Sequence, residues 1–254
     1  GRIYNTPVTV QNNTVNNVSI VENLATAVSN ADGLKTALSN GGNIVLLNDI
    51  TVTDSLTMNK SCTLYLNGKT LYMSTTDDSQ IKNAANVTIK NGNVDISGVN
   101  FTERNGIFNI TGGTANTLTI ENVNFYGEGF NSYSVFWIAK ASSGTNTLNL
   151  VNSKFELKNL DEISGFIKHP SGVLDCSAIN ITNSDIDIEN GARLFLYGVY
   201  NIKDSEISFV DTTGEANGLR QHRQRFCVYP FGRGAGQCHR LGYVEKQKVR
   251  KKEY

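Results

Sequence analysis

No apolar run in this 254-residue chain approaches the length of a membrane-spanning helix, so no helical span is expected. No secretory leader is present either. The chain opens on Gly1-Arg2-Ile3 rather than on Met, which reads as a trimmed start, so the missing leader excludes nothing. Apolar residues make up only 39% of the chain, too few for a thick core but enough for an interior one side chain deep. Only Cys62 and Cys176 precede residue 218, so a disulfide framework has no support. Cys62 falls on the same alternation as Leu64 and Leu66 and reads as a small core residue. Catalytic material is also scarce over that stretch, which holds one histidine, His169, and three arginines, Arg2, Arg104 and Arg193.

What is present is a repeated phrase. Apolar residues alternate, an Asn or Asp interrupts them, and alternation resumes, as in Val87–Ile96, Leu118–Phe125, Leu148–Leu157, Ile179–Ile188 and Tyr200–Phe209. Leu64–Leu71 is a looser copy, with Gly68 falling where the others carry Asn. The interrupting residues are Asn91, Asn122, Asn152, Asn183 and Asp204, spaced 31, 30, 31 and 21 apart. Period-two alternation means strands with one face buried, and Asn or Asp tolerates the bent backbone of a tight corner. A period of this length marks a stacked repeat. A third strand is expected before each phrase, around Phe108, Phe136, Phe166 and Phe195, which would stack as a phenylalanine column. An antiparallel sandwich is the alternative, but it does not need Asn at one fixed place in each unit.

The expected fold is therefore all-β: a single-stranded parallel β-helix of about six coils with a short N-terminal helical cap. Residues 1–42 form the N-terminal segment and cap, 43–210 the β-helix, and 211–254 a basic, atypical tail. Ser19–Glu22 has a capping-box pattern followed by Leu24, Ala25 and Val28 at helical spacing. Asp32 is the expected N-cap of a second short helix and Gly41 its stop.

The segments Leu34–Leu38, Gly42–Leu47, Leu56–Met58 and Cys62–Leu71 resemble the start of right-handed parallel β-helix proteins of the pectin-lyase-like superfamily, and are most similar to adhesin-like members on bacterial surfaces. The resemblance covers roughly residues 18–210. It implies a right-handed coil and an extracellular or cell-surface location. The function it implies is adhesion or binding to a glycan or a host or cell-surface component. Insertion into a membrane or nucleic-acid binding is not implied. This fold also hosts lyases, hydrolases and trimeric tailspikes, so fold alone does not decide activity. Of the Asn-Thr-Asp, Asp-Asp, Gly-His-Gly and Arg-Ile-Lys segments of polygalacturonase-type hydrolases, only the dipeptide Asp77-Asp78 occurs, without the other three, and the Gly-Gly-Xaa-Gly-Xaa-Asp repeat of calcium-loaded β-rolls is missing.

Alternation sorts the candidate site residues. Asn93, Asp95, Asn124, Tyr126, Lys154, Glu156, Asp185, Asp187, Glu206 and Ser208 should face outward after their corners. Stacking would bring Glu156, Asp185, Asp187 and Glu206 together, at a spacing that suits a glycosidase pair or a calcium ion, or simply a solvated face. His169 is a further candidate base in a loop. The third strand reads apolar on both faces. Trp137, Tyr133, Phe130, Tyr197 and Arg104 are its candidate ligand-binding residues, with burial beneath loops as the competing reading. No resident cofactor or metal is expected beyond that calcium option.

The tail breaks the pattern. Residues 1–217 hold 32 Asn and residues 218–254 none, while Lys and Arg outnumber Asp and Glu there by 10 to 2. A basic surface-binding tail, a metal site from Cys227, Cys238 and His239, and a reading-frame slip in the gene are the three readings. The slip is favoured, because a one-base shift permits a more repeat-like string after Leu219.

Overall fold

The computed structural model describes residues 25–76, 81–101, 106–158, 165–168, 177–189, 193–195, 199–210, 225–229 and 237–240. It opens with strand β1 (Thr26–Val28) and helix α1 (Ala31–Asn40). The coils follow in order. The first is β2 (Gly42–Leu46), β3 (Ile50–Val52) and β4 (Leu56–Met58); the second is β5 (Cys62–Tyr65), β6 (Thr70–Met73) and β7 (Ile81–Asn83). In the next two, one long strand spans the corner: β8 (Val87–Asp95) then β9 (Gly106–Ile110), and β10 (Thr117–Glu128) then β11 (Ser134–Ile138). Then come β12 (Asn146–Val151), β13 (Lys154–Lys158) and β14 (Gly165–Lys168), followed by β15 (Ser177–Thr182), β16 (Asp185–Glu189) and β17 (Arg193–Phe195). Strands β18 (Val199–Lys203), β19 (Glu206–Val210), β20 (Arg225–Tyr229) and β21 (Gln237–Arg240) close the described order.

These strands stack in parallel columns, so the fold is a parallel β-solenoid. The third column holds six strands, β4, β7, β9, β11, β14 and β17. The regular stack is about four turns, slightly fewer than the six counted from the phrases. The shortest strands of the coils are β3, β4, β7 and β17, with three residues each.

From the second coil onward, each corner between the first two columns carries one Asn or Asp in the left-handed region. Asn67, Asn91, Asn122, Asn152, Asn183 and Asp204 all have φ between 47° and 63°. Asn and Asp reach this left-handed region at lower cost than other non-glycine residues, because their short polar side chains bond locally. Asn67 belongs to this column, contrary to the expectation from Gly68. Tyr65 and Thr70 pair with Lys90 and Asn93, so residues 66–69 face only Asn91 and Gly92. The extra length is taken up by a tight turn with Asn67 and Gly68 both at positive φ, closed by Lys69 N–H to the Leu66 carbonyl at 2.8 Å. This turn presses on the next rung. A Cβ on Gly92 would lie 2.4 Å from the Leu66 Cβ and 2.7 Å from the Lys69 carbonyl oxygen, so only glycine fits there.

The interior is one side chain deep, as the composition required. In register, Leu71, Val94, Phe125, Phe155 and Ile186 form one inward row. Phe125 and Phe155 stack at 5.4 Å, and Phe108 and Phe136 lie against Phe125 at 5.8 and 6.0 Å. The phenylalanine column is real but not straight. Phe108 pairs with Phe136, whereas Phe136 pairs with Ile167, one residue past Phe166. Phe166 is nevertheless buried and meets Phe136 edge-on at 5.5 Å. Cys62 is in the core as expected, and burial pushes its thiol up to about 11, so it stays protonated near neutral pH.

The cap differs from expectation in two places. Residues 26–28 form β1, parallel to β2, rather than helix. The N-cap of α1 is Asn30, whose side chain accepts from Gly33 N–H at 2.8 Å, and Asp32 sits in the first turn. Gly41 ends the helix at φ 76°, as its sequence position suggested. Helix α1 buries Leu34, Ala37 and Leu38 over the open end of the stack. The Ser19–Glu22 pattern lies outside the described residues. In the tail, β20 pairs in parallel with β18 and β21 turns back antiparallel on β20.

Replacing Asn122 tests the corner. Asn122→Ala should cost about 1–2 kcal/mol in urea unfolding, because alanine resists positive φ and loses the amide. Asn122→Gly should recover more than half of that loss. Equal loss in both variants would show that the backbone conformation is not what selects Asn.

Candidate functional site

The corner column brings amides into line. Asn122 donates to the Asn91 side chain at 3.0 Å, and Asn183 to Asn152 at 2.8 Å. Two residues on, Asn124 donates to Asn93 at 3.2 Å. Between these two rows runs a groove of about 450 Å³, lined by Asn67, Asn91, Asn93, Asn122, Asn124 and Asn152 with two corner glycines. A primary amide offers two N–H donors and two acceptor lone pairs. Asn122 and Asn124 each use one N–H along the ladder, which leaves the groove with a donor-and-acceptor surface. On the first column Asn201, Asn180, Asn149 and Thr119 form a further ladder at 2.8–3.1 Å. A smaller groove of about 270 Å³ lies over that column, beside Thr63, Thr88 and Thr119.

The corners are also tied by serine. The hydroxyls of Ser153, Ser184 and Ser205 each accept the backbone N–H of the residue one rung below, Val123, Ser153 and Ser184, at 3.1 Å. The sequence did carry this signal, since Ser follows the corner residue in three successive phrases.

Beyond the groove, the outer face of the second column carries a row in strict register: Tyr72, Asp95, Tyr126, Glu156 and Asp187. Tyr72 is 40% exposed, the one large apolar side chain so exposed among the described residues. Tyr126 is half-buried and its hydroxyl donates to the Glu128 carboxylate. That bond, with the nearby Asp95 and Glu156 charges, raises the Tyr126 phenol above its ordinary range.

The predicted acidic residues do come together. Asp185 pairs with Glu206, and Glu156 with Asp187. Lys154 bridges to Glu156 at 2.7 Å, which holds the Glu156 carboxyl below its usual range and raises Lys154. Among the described residues no group of three Asp, Glu, His or Cys side chains is placed to hold a metal ion.

The third-strand candidates separate. Trp137 and Tyr133 are half-buried with ring centroids 5.8 Å apart, and the Lys168 ammonium lies 3.4 Å over the Tyr133 ring. Lys168 is only 1% exposed, so this cation–π contact is largely dry. Phe130 is 1% exposed and sits against Gly127, in the core rather than on a ligand surface. Ile107 and Val135, on the outer side of the same column, are fully covered, and that apolar face reaches solvent in part at Trp137. Arg104, His169 and Tyr197 lie outside the described residues. Tyr72 was missed as a site residue, although its place between inward Leu71 and Met73 marks it as outward.

No protein-family profile, curated protein or solved structure matches this chain. The site therefore rests on its own geometry.

The Tyr126–Glu128 bond is checked by ultraviolet titration of tyrosine ionisation. A raised phenol should fall back toward the ordinary range in Glu128→Gln, so the difference from the unmodified protein should show one tyrosine ionising at lower pH. Identical curves would mean that the bond does not persist in solution.

Proposed function

We propose that this chain is a non-catalytic, secreted or cell-surface β-helix of the pectin-lyase-like, adhesin-like kind, which binds a glycan on its outer face. The observation that carries the reading is the asparagine groove running beside Tyr72 and Tyr126. Amides supply paired donors and acceptors for vicinal hydroxyls, and a tyrosine ring supplies a flat apolar platform for the C–H face of a sugar. Parallel stacking repeats these groups at about 4.8 Å, so the surface presents a line of similar subsites.

A polysaccharide hydrolase is the second reading, favoured by the register pairing of Glu156 with Asp187. Glycoside hydrolysis needs one protonated and one ionised carboxyl, and the Lys154 ion pair suits Glu156 to the ionised role alone.

Binding and turnover are measured together, by calorimetry with a panel of oligosaccharides and by reducing-end assays on the same panel. Binding without turnover is the expected outcome. Tyr72→Ala should weaken binding about tenfold, roughly 1.4 kcal/mol, with the melting temperature unchanged. Turnover that is lost in Glu156→Gln would instead support the hydrolase.

A further inference from the structure

The glycan-binding reading leaves the sugar class open, and the charges of the face decide it. Tyr72 and Tyr126 sit on β6 and β10, two rungs apart, with Asp95 of β8 directly between them in register. At about 4.8 Å per rung, the two rings are about 10 Å apart along the stack, with a carboxylate midway. A β-linked sugar chain advances by close to one rung per ring. A chain lying along the solenoid axis would place alternate rings over Tyr72 and Tyr126 and the intervening ring over Asp95.

The surrounding charge has one dominant sign. Glu156 and Asp187 continue the same row, and Glu128, Asp185 and Glu206 flank it, against Lys154 and Lys158 in the second column, Lys158 standing opposite Glu128 in register. Lys154 is already engaged with Glu156. A uronate chain would bring like charge to this face at every ring, which favours rejection. A chain with ammonium groups would meet Asp95 at the ring where no aromatic platform stands. The Asp95 carboxylate is fixed for this by accepting from Ser97 N–H at 2.8 Å. The Glu128 carboxylate in turn holds the Tyr126 ring in place.

We infer that the Tyr72–Asp95–Tyr126 row is a binding site for a cationic amino-sugar polymer, a deacetylated aminoglycan, laid along the solenoid axis beside the asparagine groove. This rests on the glycan-binding reading and narrows it. Aromatic platforms alone would suit any glycan, and an acidic face alone would attract any polycation. The alternation of ring, carboxylate and ring at rung spacing selects a chain that is both sugar and base.

The test is calorimetric titration of the full chain with four probes: glucosamine oligomers, their N-acetylated counterparts, galacturonate oligomers and polylysine. Glucosamine oligomers should bind at least about tenfold more tightly than N-acetylated ones, and galacturonate should not bind. Asp95→Asn keeps an acceptor for Ser97 N–H. It should weaken glucosamine binding about fivefold to tenfold and leave N-acetylated binding unchanged. Tyr72→Ala should weaken both sugars and leave polylysine unaffected. If galacturonate binds best, or if Asp95→Asn changes nothing, the amino-sugar inference fails while glycan binding stands. If polylysine competes equally and the tyrosines are indifferent, the face is an unspecific polyanion and the inference fails. If no sugar of any class binds, both readings fall together.

Discussion

Everything in this structure depends on one corner. From the second coil onward an Asn or Asp enters the left-handed region and lets the chain pass from the first column to the second without breaking register. Asn67, Asn91, Asn122, Asn152, Asn183 and Asp204 perform this step. Because the corner falls at the same place in every coil, like residues stack on like. Asn then hydrogen-bonds Asn across a rung, Ser accepts the neighbouring corner N–H, and Phe meets Phe inside. Each of these contacts is worth on the order of 1 kcal/mol or less. Their strength is in repetition, since each coil is held chiefly by its neighbours.

The same geometry makes an ordered surface out of unremarkable residues. A lone exposed Asn or Tyr carries little information. Held in register at rung spacing, six asparagines become a groove, and two tyrosines flanking an aspartate become a row with direction and period. The acidic residues of the later coils belong to the same face, where Lys154 partly neutralises them. In the proposed glycan-binding reading they act through the field of the face rather than as a catalytic pair.

Much of this was legible in the sequence. Period-two alternation placed Leu118, Ile120 and Phe125 inward and Asn124 and Tyr126 outward, and recurring Asn marked the corners. What escaped was set by tertiary fit. Phe166 shares its spacing with Phe136, yet the strand shifts by one residue, and Ile167 takes the paired position. Spacing alone cannot show a slip of that size. Asn67 was passed over because its turn carries two extra residues, which only the pairing of Thr70 with Asn93 reveals. Residues 26–28 looked helical because Leu24, Ala25 and Val28 fit a helical spacing, but the unpaired edge of β2 captured them as a strand. Phe130 looked like a surface aromatic in a loop, and Gly127 beneath it makes room for it in the core. Tyr72 lay outside any pattern that suggested a ligand, and its value appears only when Asp95 and Tyr126 are seen beside it.

The most direct measurement is a map of short proton–proton contacts in solution from isotope-edited nuclear Overhauser spectra. The account predicts cross-strand backbone contacts between residues one coil apart, linking Leu118 with both Val87 and Leu148, and Phe155 with both Phe125 and Ile186. Contacts that instead join successive strands in antiparallel order, with none at one-coil separation, would contradict the stacked corner and every surface built upon it.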